Sequence, residues 1–384
     1  RVVQLPECAL TTPTRAACRK ATPVAGTNNT EQQKLTARIT TPAATSARSG
    51  LTVLAVSAAA GSDQGTYEAT PLSASSTWSA GGSNGDFTWS YPLDAPSAPA
   101  GPAPNLSIGY SAQSVDGRTS STSSQPSWVG EGFDLSGSYI ERAYGSCEDD
   151  GQDKKYDQCW KENNASLVLN GKSTPLVWNE TKKTWRPKSD DGERVVHSTG
   201  ATNGDDNGEF WTVTSTDGTQ YVFGKNRLPG WTTGSPETGS TWTVPVFGDD
   251  SGEPGYDKGS SFADRSLSQA WRWNLDYVVD PHGNAMTYWY GKETNYYAKN
   301  GTTGNGSAYT RGGYLKRIDY GRRSDALFST TQPAAARVQF TVGERCLEVP
   351  GKETCASLTD ANRNAWPDVP FDQICAADKP CTDQ

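Results

Sequence analysis

The clearest hydrophobic pattern in the chain runs from Trp271 to Gly321. Between Trp271 and Val279 the odd positions are Trp271, Trp273, Leu275, Tyr277 and Val279, and Arg272, Asn274 and Asp276 lie between them. A period of two predicts a strand with one buried face. Asp280-Pro281-His282-Gly283-Asn284 then offers a preset φ at proline and a positive φ at glycine, before Thr287-Tyr288-Trp289-Tyr290 resumes an aromatic run. The unit predicts a β-hairpin. One more strand is predicted from Gly313 to Gly321, where Leu315, Arg317 and Asp319 alternate with Tyr314, Lys316, Ile318 and Tyr320.

The same grammar recurs upstream. Short strands at Leu35–Ile39, Leu51–Val56, Gly65–Thr70, Asp86–Tyr91 and Leu106–Ser111, spaced by Gly, Ser and Asn turns, predict a small antiparallel β-sandwich over residues 34–118. Residues 1–33 are expected to form an arm pinned by a disulfide. Linker-like composition at Pro96–Pro104 and Asp116–Ser124 places a domain boundary near 118. From Trp128 hairpin follows hairpin. Ser166–Leu169 turns at Asn170-Gly171 into Pro175–Trp178, Thr184–Arg186 and Glu193–Val196 flank Asp190-Asp191-Gly192, and Glu209–Thr214 and Gln220–Phe223 flank Asp217-Gly218. Open hairpins leave unpaired edges, so residues 119–384 are expected to form a curled antiparallel sheet. Gly234–Phe262, with Thr241–Phe247 as its one strand, reads as a long surface loop. Ala336–Thr341 is a last strand. A short helix is expected over Ser357–Asn364, capped by Ser357 or Thr359. The fold class is all-β.

The Asp-Pro-x-Gly-Asn turn with its aromatic strand, followed by Gly313-Tyr-Leu-Lys-Arg-Ile-Asp-Tyr-Gly321, resembles the Rhs or YD-repeat proteins, in particular the large secreted ones of actinobacteria. A second block, Gln125 to Arg142, is similar to the segment that opens the β-shell in those proteins and in related toxin-complex and SpvB-type shell proteins. The resemblance covers residues 105–384 well and the start of the chain more loosely. It implies the beginning of a hollow shell that encloses a C-terminal effector, with the rest of its own polypeptide as partner and no catalytic residue in this stretch.

Composition narrows the choice. Against 35 Lys and Arg stand 43 Asp and Glu, and the net charge of -8 argues against a nucleic-acid partner. No apolar stretch reaches the roughly 20 residues of a membrane-spanning helix. Arg1-Val2-Val3-Gln4-Leu5-Pro6 is not a signal peptide, which suggests a processed product. The eight cysteines fall as near neighbours, Cys8 with Cys18, Cys147 with Cys159, Cys346 with Cys355 and Cys375 with Cys381, and four local disulfides are the simplest reading. Disulfides imply a secreted, extracellular or cell-wall setting.

Candidate chemistry is sparse. Gly81-Gly82-Ser83-Asn84-Gly85 matches a nucleophile elbow in letters but lacks the strand-to-helix context, and reads as a hairpin turn. Gly248–Pro254 resembles a serine-protease loop imperfectly, and the only histidines are His197 and His282. Glu131 and Asp134 could serve as a carboxylate pair, so a carboxylate-based hydrolase stays open. Asn203, Asp205, Asn207 and Glu209 alternate around glycines as Ca²⁺ ligands do, the one cofactor the sequence suggests. Trp160, Trp178 and Trp231 lie beside turns and could stack on sugar rings, which keeps an extracellular glycan-binding module as an alternative. The leading expectation is a non-enzymatic, structural chain.

Overall fold

The structure is a computed structural model that describes residues 2–12, 14–29, 34–39, 52–56, 76–80, 85–116, 126–189, 191–302, 304–343, 345–348, 355, 359–366, 369 and 373–382. It is all-β. Among the described residues the helices are short 3₁₀ segments, the longest being Asp360–Ala365, where the backbone N–H of Thr359 donates to Asn362 Oδ1 at 2.9 Å. Ser357, the expected strand at 65–70 and residues 81–84 of the elbow-like motif lie outside the described residues.

The chain divides into two compact units, residues 1–74 and 75–384. In the first, β1 (Val2–Leu5) lies between β2 (Thr22–Val24) and β5 (Val53–Val56), while β3 (Gly26–Asn29) pairs with β4 (Lys34–Ala37). The Cys8–Cys18 disulfide closes the loop between β1 and β2. Residues 1–33 therefore supply strands of their own.

In the second unit, β6 (Thr77–Ala80), β7 (Phe87–Leu93), β8 (Leu106–Ser111) and β9 (Phe133–Leu135) form a four-stranded antiparallel sheet in that order. The expected sandwich strands are thus dealt out among separate sheets, and the β8–β9 ladder spans the boundary expected near 118. Side chains explain the pairing, because Trp78, Trp89, Tyr110 and Phe133 stand opposite one another across the four strands. Cross-strand aromatic pairs each add about 0.2–1 kcal/mol.

The large sheet has fourteen strands: β10 (Tyr139–Glu141), β11 (Gly145–Ser146), β12 (Gln158–Cys159), β13 (Ala165–Leu169), β14 (Lys172–Asn179), β15 (Thr184–Pro187), β16 (Arg194–Ser198), β17 (Phe210–Thr214), β18 (Gln220–Phe223), β19 (Thr241–Phe247), β20 (Ser266–Val279), β21 (Asn284–Tyr297), β22 (Ser307–Arg323) and β23 (Ala336–Gln339). Strand β20 is its trunk. Its first half pairs with β19 and β10, its second with β18 and β21, and each partner carries a further run of strands outward. All these pairings are antiparallel except β12 with β19. Bulges interrupt the register beside β20 and three times between β21 and β22, which bends the strands.

The predicted hairpins form for local reasons. Asn170 and Gly171 take φ of 51° and 81°, the two positive angles that a tight turn between twisted strands needs. In the turn after β20, Asp280 Oδ1 accepts the N–H groups of His282 and Asn284, at 2.9 and 2.8 Å, and Gly283 takes φ 78°. The period-two reading of β20 needs correction: Asn274 and Asp276 are as buried as Trp273, Leu275 and Tyr277. A trunk strand is covered on both faces, and its polar residues serve as anchors for loop backbone. The expected surface loop from Gly234 also turns inward, with Thr238 and Ser240 fully buried.

The core is aromatic. Trp178, Trp185, Trp211 and Trp273, from β14, β15, β17 and β20, follow one another at centroid distances of 5.3, 5.3 and 5.7 Å in tilted or edge-to-face geometry. Such pairs are worth about 0.5–1.5 kcal/mol beyond the area they bury. Because Trp185 ends one branch and Trp211 belongs to another, the row draws two branches of the sheet together and curls it.

Candidate functional site

The unit 75–384 contains a hollow of about 1540 Å³. Its wall is built from the inward residues of β8–β10 and β20–β22, with Trp242 of β19, and is rich in Tyr and Trp: Tyr139, Trp242, Trp271, Tyr288, Tyr290 and Tyr314 all face it. Hydroxyls are turned into the protein where the structure shows their partners. Tyr290 donates to the carbonyl of Leu275 at 2.9 Å. Burial raises the phenols of Tyr288 and Tyr290 above their ordinary value, so both stay neutral at physiological pH.

Two arginines of the wall are ion-paired. Arg272 Nε lies 2.5 Å from Glu141 Oε1, and its guanidinium stacks over Tyr139 at 4.0 Å and faces Trp242 and Trp271 at 5.2 and 5.4 Å. Arg311 meets Glu293 at 3.2 Å. A surface of this kind can shelter apolar or aromatic chain. Among the described residues, its acids are matched to arginines or exposed, as Asp134 is, and neither histidine is among the residues that line it.

Behind the wall lie two buried polar knots. In the first, Arg142 Nη1 donates to Glu209 Oε2 at 2.7 Å, while His197 Nε2 stands 3.3 Å from Oε1. Arg142 is sandwiched between Trp160 and Trp273, 4.9 and 5.1 Å from their centroids. Burial opposes the charge on Glu209, yet the His197 and Arg142 contacts outweigh it and hold the carboxyl below its usual value. In the second, Asp276 accepts the Thr238 hydroxyl and the N–H groups of Lys225 and Asn226. Burial nevertheless pushes its carboxyl up to about 6.

The predicted calcium loop is woven into the first knot. Asn203 Nδ2 donates to the carbonyls of Glu209 and Gly224, both at 2.7 Å, and Asn203 Oδ1 accepts the Asp205 N–H. Asp205 Oδ1 accepts the N–H groups of Asn207 and Glu209, and its Oδ2 that of Ala270. Burial lifts the Asp205 carboxyl to about 6. Asn203, Asp205 and Glu209 are therefore committed to protein partners, and Asn207 is exposed. They lock the loop to β18 and β20.

The three predicted sugar-stacking tryptophans sit in separate surroundings. Trp160 is 9% exposed, under Arg142 and against Tyr144. Trp178 packs on Trp185 and donates to Glu180, and Trp231 lies beneath Arg227 at 3.9 Å and donates to the Ser235 carbonyl. An exposed aromatic face is found instead on β6–β9, where Trp78 is 68% exposed beside Phe87, with Trp89, Tyr91, Tyr110 and Phe133 on the same side. Alternation in Thr77–Ala80 and Phe87–Tyr91 was the signal for it. The four expected disulfides are made, with Cα separations of 4.8–5.7 Å. One further group escapes sequence reasoning: carboxylate oxygens of Asp150, Asp249 and Glu253 lie within 4.8 Å of one another.

No protein-family model and no curated protein matches the chain. Several solved structures resemble it weakly. A TcdB2–TccC3 crystal structure shares 18% identity at a TM-score of 0.37 over 74% of this chain and 12% of its own. The same pair without its hypervariable C-terminal region shares 17% at 0.36 over 73% and 12%. The N-terminal domain of the effector protein SpvB from Salmonella typhimurium strain LT2 shares 17% at 0.35, over 66% of this chain and 72% of that one. The chain thus spans about an eighth of the TcdB2–TccC3 structures. Likenesses of this strength carry no functional argument. Among the described residues, no helix is long and apolar enough to cross a membrane.

Proposed function

We propose that this chain is a non-catalytic wall: part of a secreted polypeptide of Rhs/YD-repeat type, whose curled sheet shelters another segment of the same polypeptide. The carrying observation is the aromatic hollow of about 1540 Å³ on the long strands β20–β22, with neutral phenols and with Arg272 and Arg311 each held by a carboxylate. Such a surface offers a passenger apolar and aromatic contact without a reacting group. Four disulfides fit an oxidising, extracellular location. The test is limited proteolysis of the complete gene product, compared with a Trp273→Ala variant. Wild type should protect one segment outside residues 75–384 that the variant exposes. Equal cleavage of every other segment in both proteins would sink the proposal.

A second reading, glycan binding, draws on the exposed aromatic row of β6–β9. Flat aromatic faces stack on sugar rings. A glycan array probed with wild type and Trp78→Ala separates the readings, because silence from both proteins removes this one.

A further inference from the structure

Two acidic loops without a part in the hollow meet at one end of the large sheet. The first is closed by the Cys147–Cys159 disulfide and carries Glu148, Asp149, Asp150, Gln152 and Asp153. The second leaves β19 directly and carries Asp249, Asp250 and Glu253. Their bases are fixed. β12 runs parallel to β19, the Trp160 N–H donates to the Phe247 carbonyl at 2.8 Å, and the buried disulfide packs with Phe247, which stacks on Phe262 at 4.4 Å.

On that base, oxygens of Asp150, Asp249 and Glu253 come within 4.8 Å of one another. None of the ion pairs among the described residues involves them. Asp249 is only 8% exposed. Its Oδ2 accepts from Gln152 Nε2 at 3.3 Å, but its Oδ1 is shut off from solvent and meets no donor. Glu253 uses Oε2 to accept the N–H groups of Asp249 and Asp250, at 3.0 and 3.1 Å. A buried, unpartnered carboxylate oxygen beside two more acids is costly unless a cation joins them.

We propose that Asp150, Asp249 and Glu253 form a calcium site that clamps the disulfide loop to the loop after β19. The donors on the page are all hard oxygens, which select Ca²⁺, Mg²⁺ or Mn²⁺ over zinc or copper. Ca²⁺ holds oxygens at about 2.3–2.6 Å, so ligands of one ion lie at most about 5 Å apart, as these do. It also tolerates irregular geometry from two separate loops, where Mg²⁺ demands a near-ideal octahedron. Asp150 is exposed, so water can complete the shell, and Gln152 can reverse its amide to present an oxygen. The site is independent of the proposed wall function.

Calorimetric titration of the EDTA-treated protein with CaCl₂, alongside thermal melts, tests it. One ion per chain should bind, with a rise in Tm of several degrees and a weaker response to MgCl₂. Asp249→Asn and Glu253→Gln should each weaken binding at least 10-fold. Because Asp249→Asn also relieves the repulsion among the acids, its calcium-free Tm should equal or exceed that of wild type. Asn207→Ala, in the other candidate loop, should leave the titration unchanged. No heat and no shift in Tm with Ca²⁺ would overturn the proposal, as would binding that survives Asp249→Asn and Glu253→Gln or is lost in Asn207→Ala.

Discussion

Replacing Arg142 by Met strands Glu209 in the interior, with the bent contact to His197 as its remaining cationic neighbour. Breaking a buried pair by removing one partner costs about 3–5 kcal/mol. Arg142 and Glu209 are 5% and 8% exposed, so solvent offers little compensation. The lost stacking on Trp160 and Trp273 adds about 0.5–2 kcal/mol, partly offset by the fit of the Met side chain. A loss of about 4 kcal/mol is expected for Arg142→Met and about 3 kcal/mol for Glu209→Gln. The double variant leaves neither charge stranded, so it should lose no more than either single one and show a coupling of at least about 2 kcal/mol. Arg142→Lys should rescue poorly, since an ammonium lacks the planar face that lies between two indoles. Urea unfolding at pH 7 with disulfides intact, followed by tryptophan fluorescence, measures all of these. All 13 tryptophans lie in residues 75–384, so the signal reports that unit alone. A cost below about 1 kcal/mol for Arg142→Met, or strict additivity in the double variant, would refute the reasoning.

Asp276 predicts a pH dependence of definite sign. Its folded value of about 6 lies above the unfolded value near 4, so its contribution is fully present below about pH 4 and is lost as pH rises through about 6. The stability difference between wild type and Asp276→Asn should therefore shrink by up to about 3 kcal/mol from pH 4 to pH 7, and a difference independent of pH would contradict it. Gly224 takes φ 71°, and a Cβ there would sit 2.1 Å from Trp273 Cδ1. Gly224→Ala should cost about 3 kcal/mol in urea unfolding, from backbone strain and displacement of the tryptophan row. Gly230→Ala, with φ 81° and only an ordinary contact at 4.0 Å to Phe328 Cδ2, should cost only about 1 kcal/mol.

Much of the fold is legible because local chemistry decides it. Asn170-Gly171 and Asp280–Asn284 specify their turns through backbone angles and short side-chain hydrogen bonds, and the aromatic runs around them have no other use than strands. Cysteine spacing gives the four pairings for the same reason. What depends on distant partners is not legible. Asn274 and Asp276 look solvent-facing because polarity usually means exposure, whereas here they receive loop backbone inside a strand covered on both sides. Thr238 and Ser240 are hidden by the same inversion. Asn203 to Glu209 carries calcium-like spacing, yet Arg142, His197 and Ala270 claim its oxygens from other parts of the chain. Gln152 and Asp249 meet across 97 positions, so each acidic loop reads alone as ordinary surface.

The trunk position of β20 has a consequence for synthesis. Glu141 on β10 waits for Arg272, 131 positions later, before its neighbour exists. At ribosomal rates of about 5–20 residues per second, the growing chain holds β10 without this partner for roughly ten seconds. Unpaired hairpin edges are on display throughout that interval, so a holding chaperone has most to offer before residue 266 emerges.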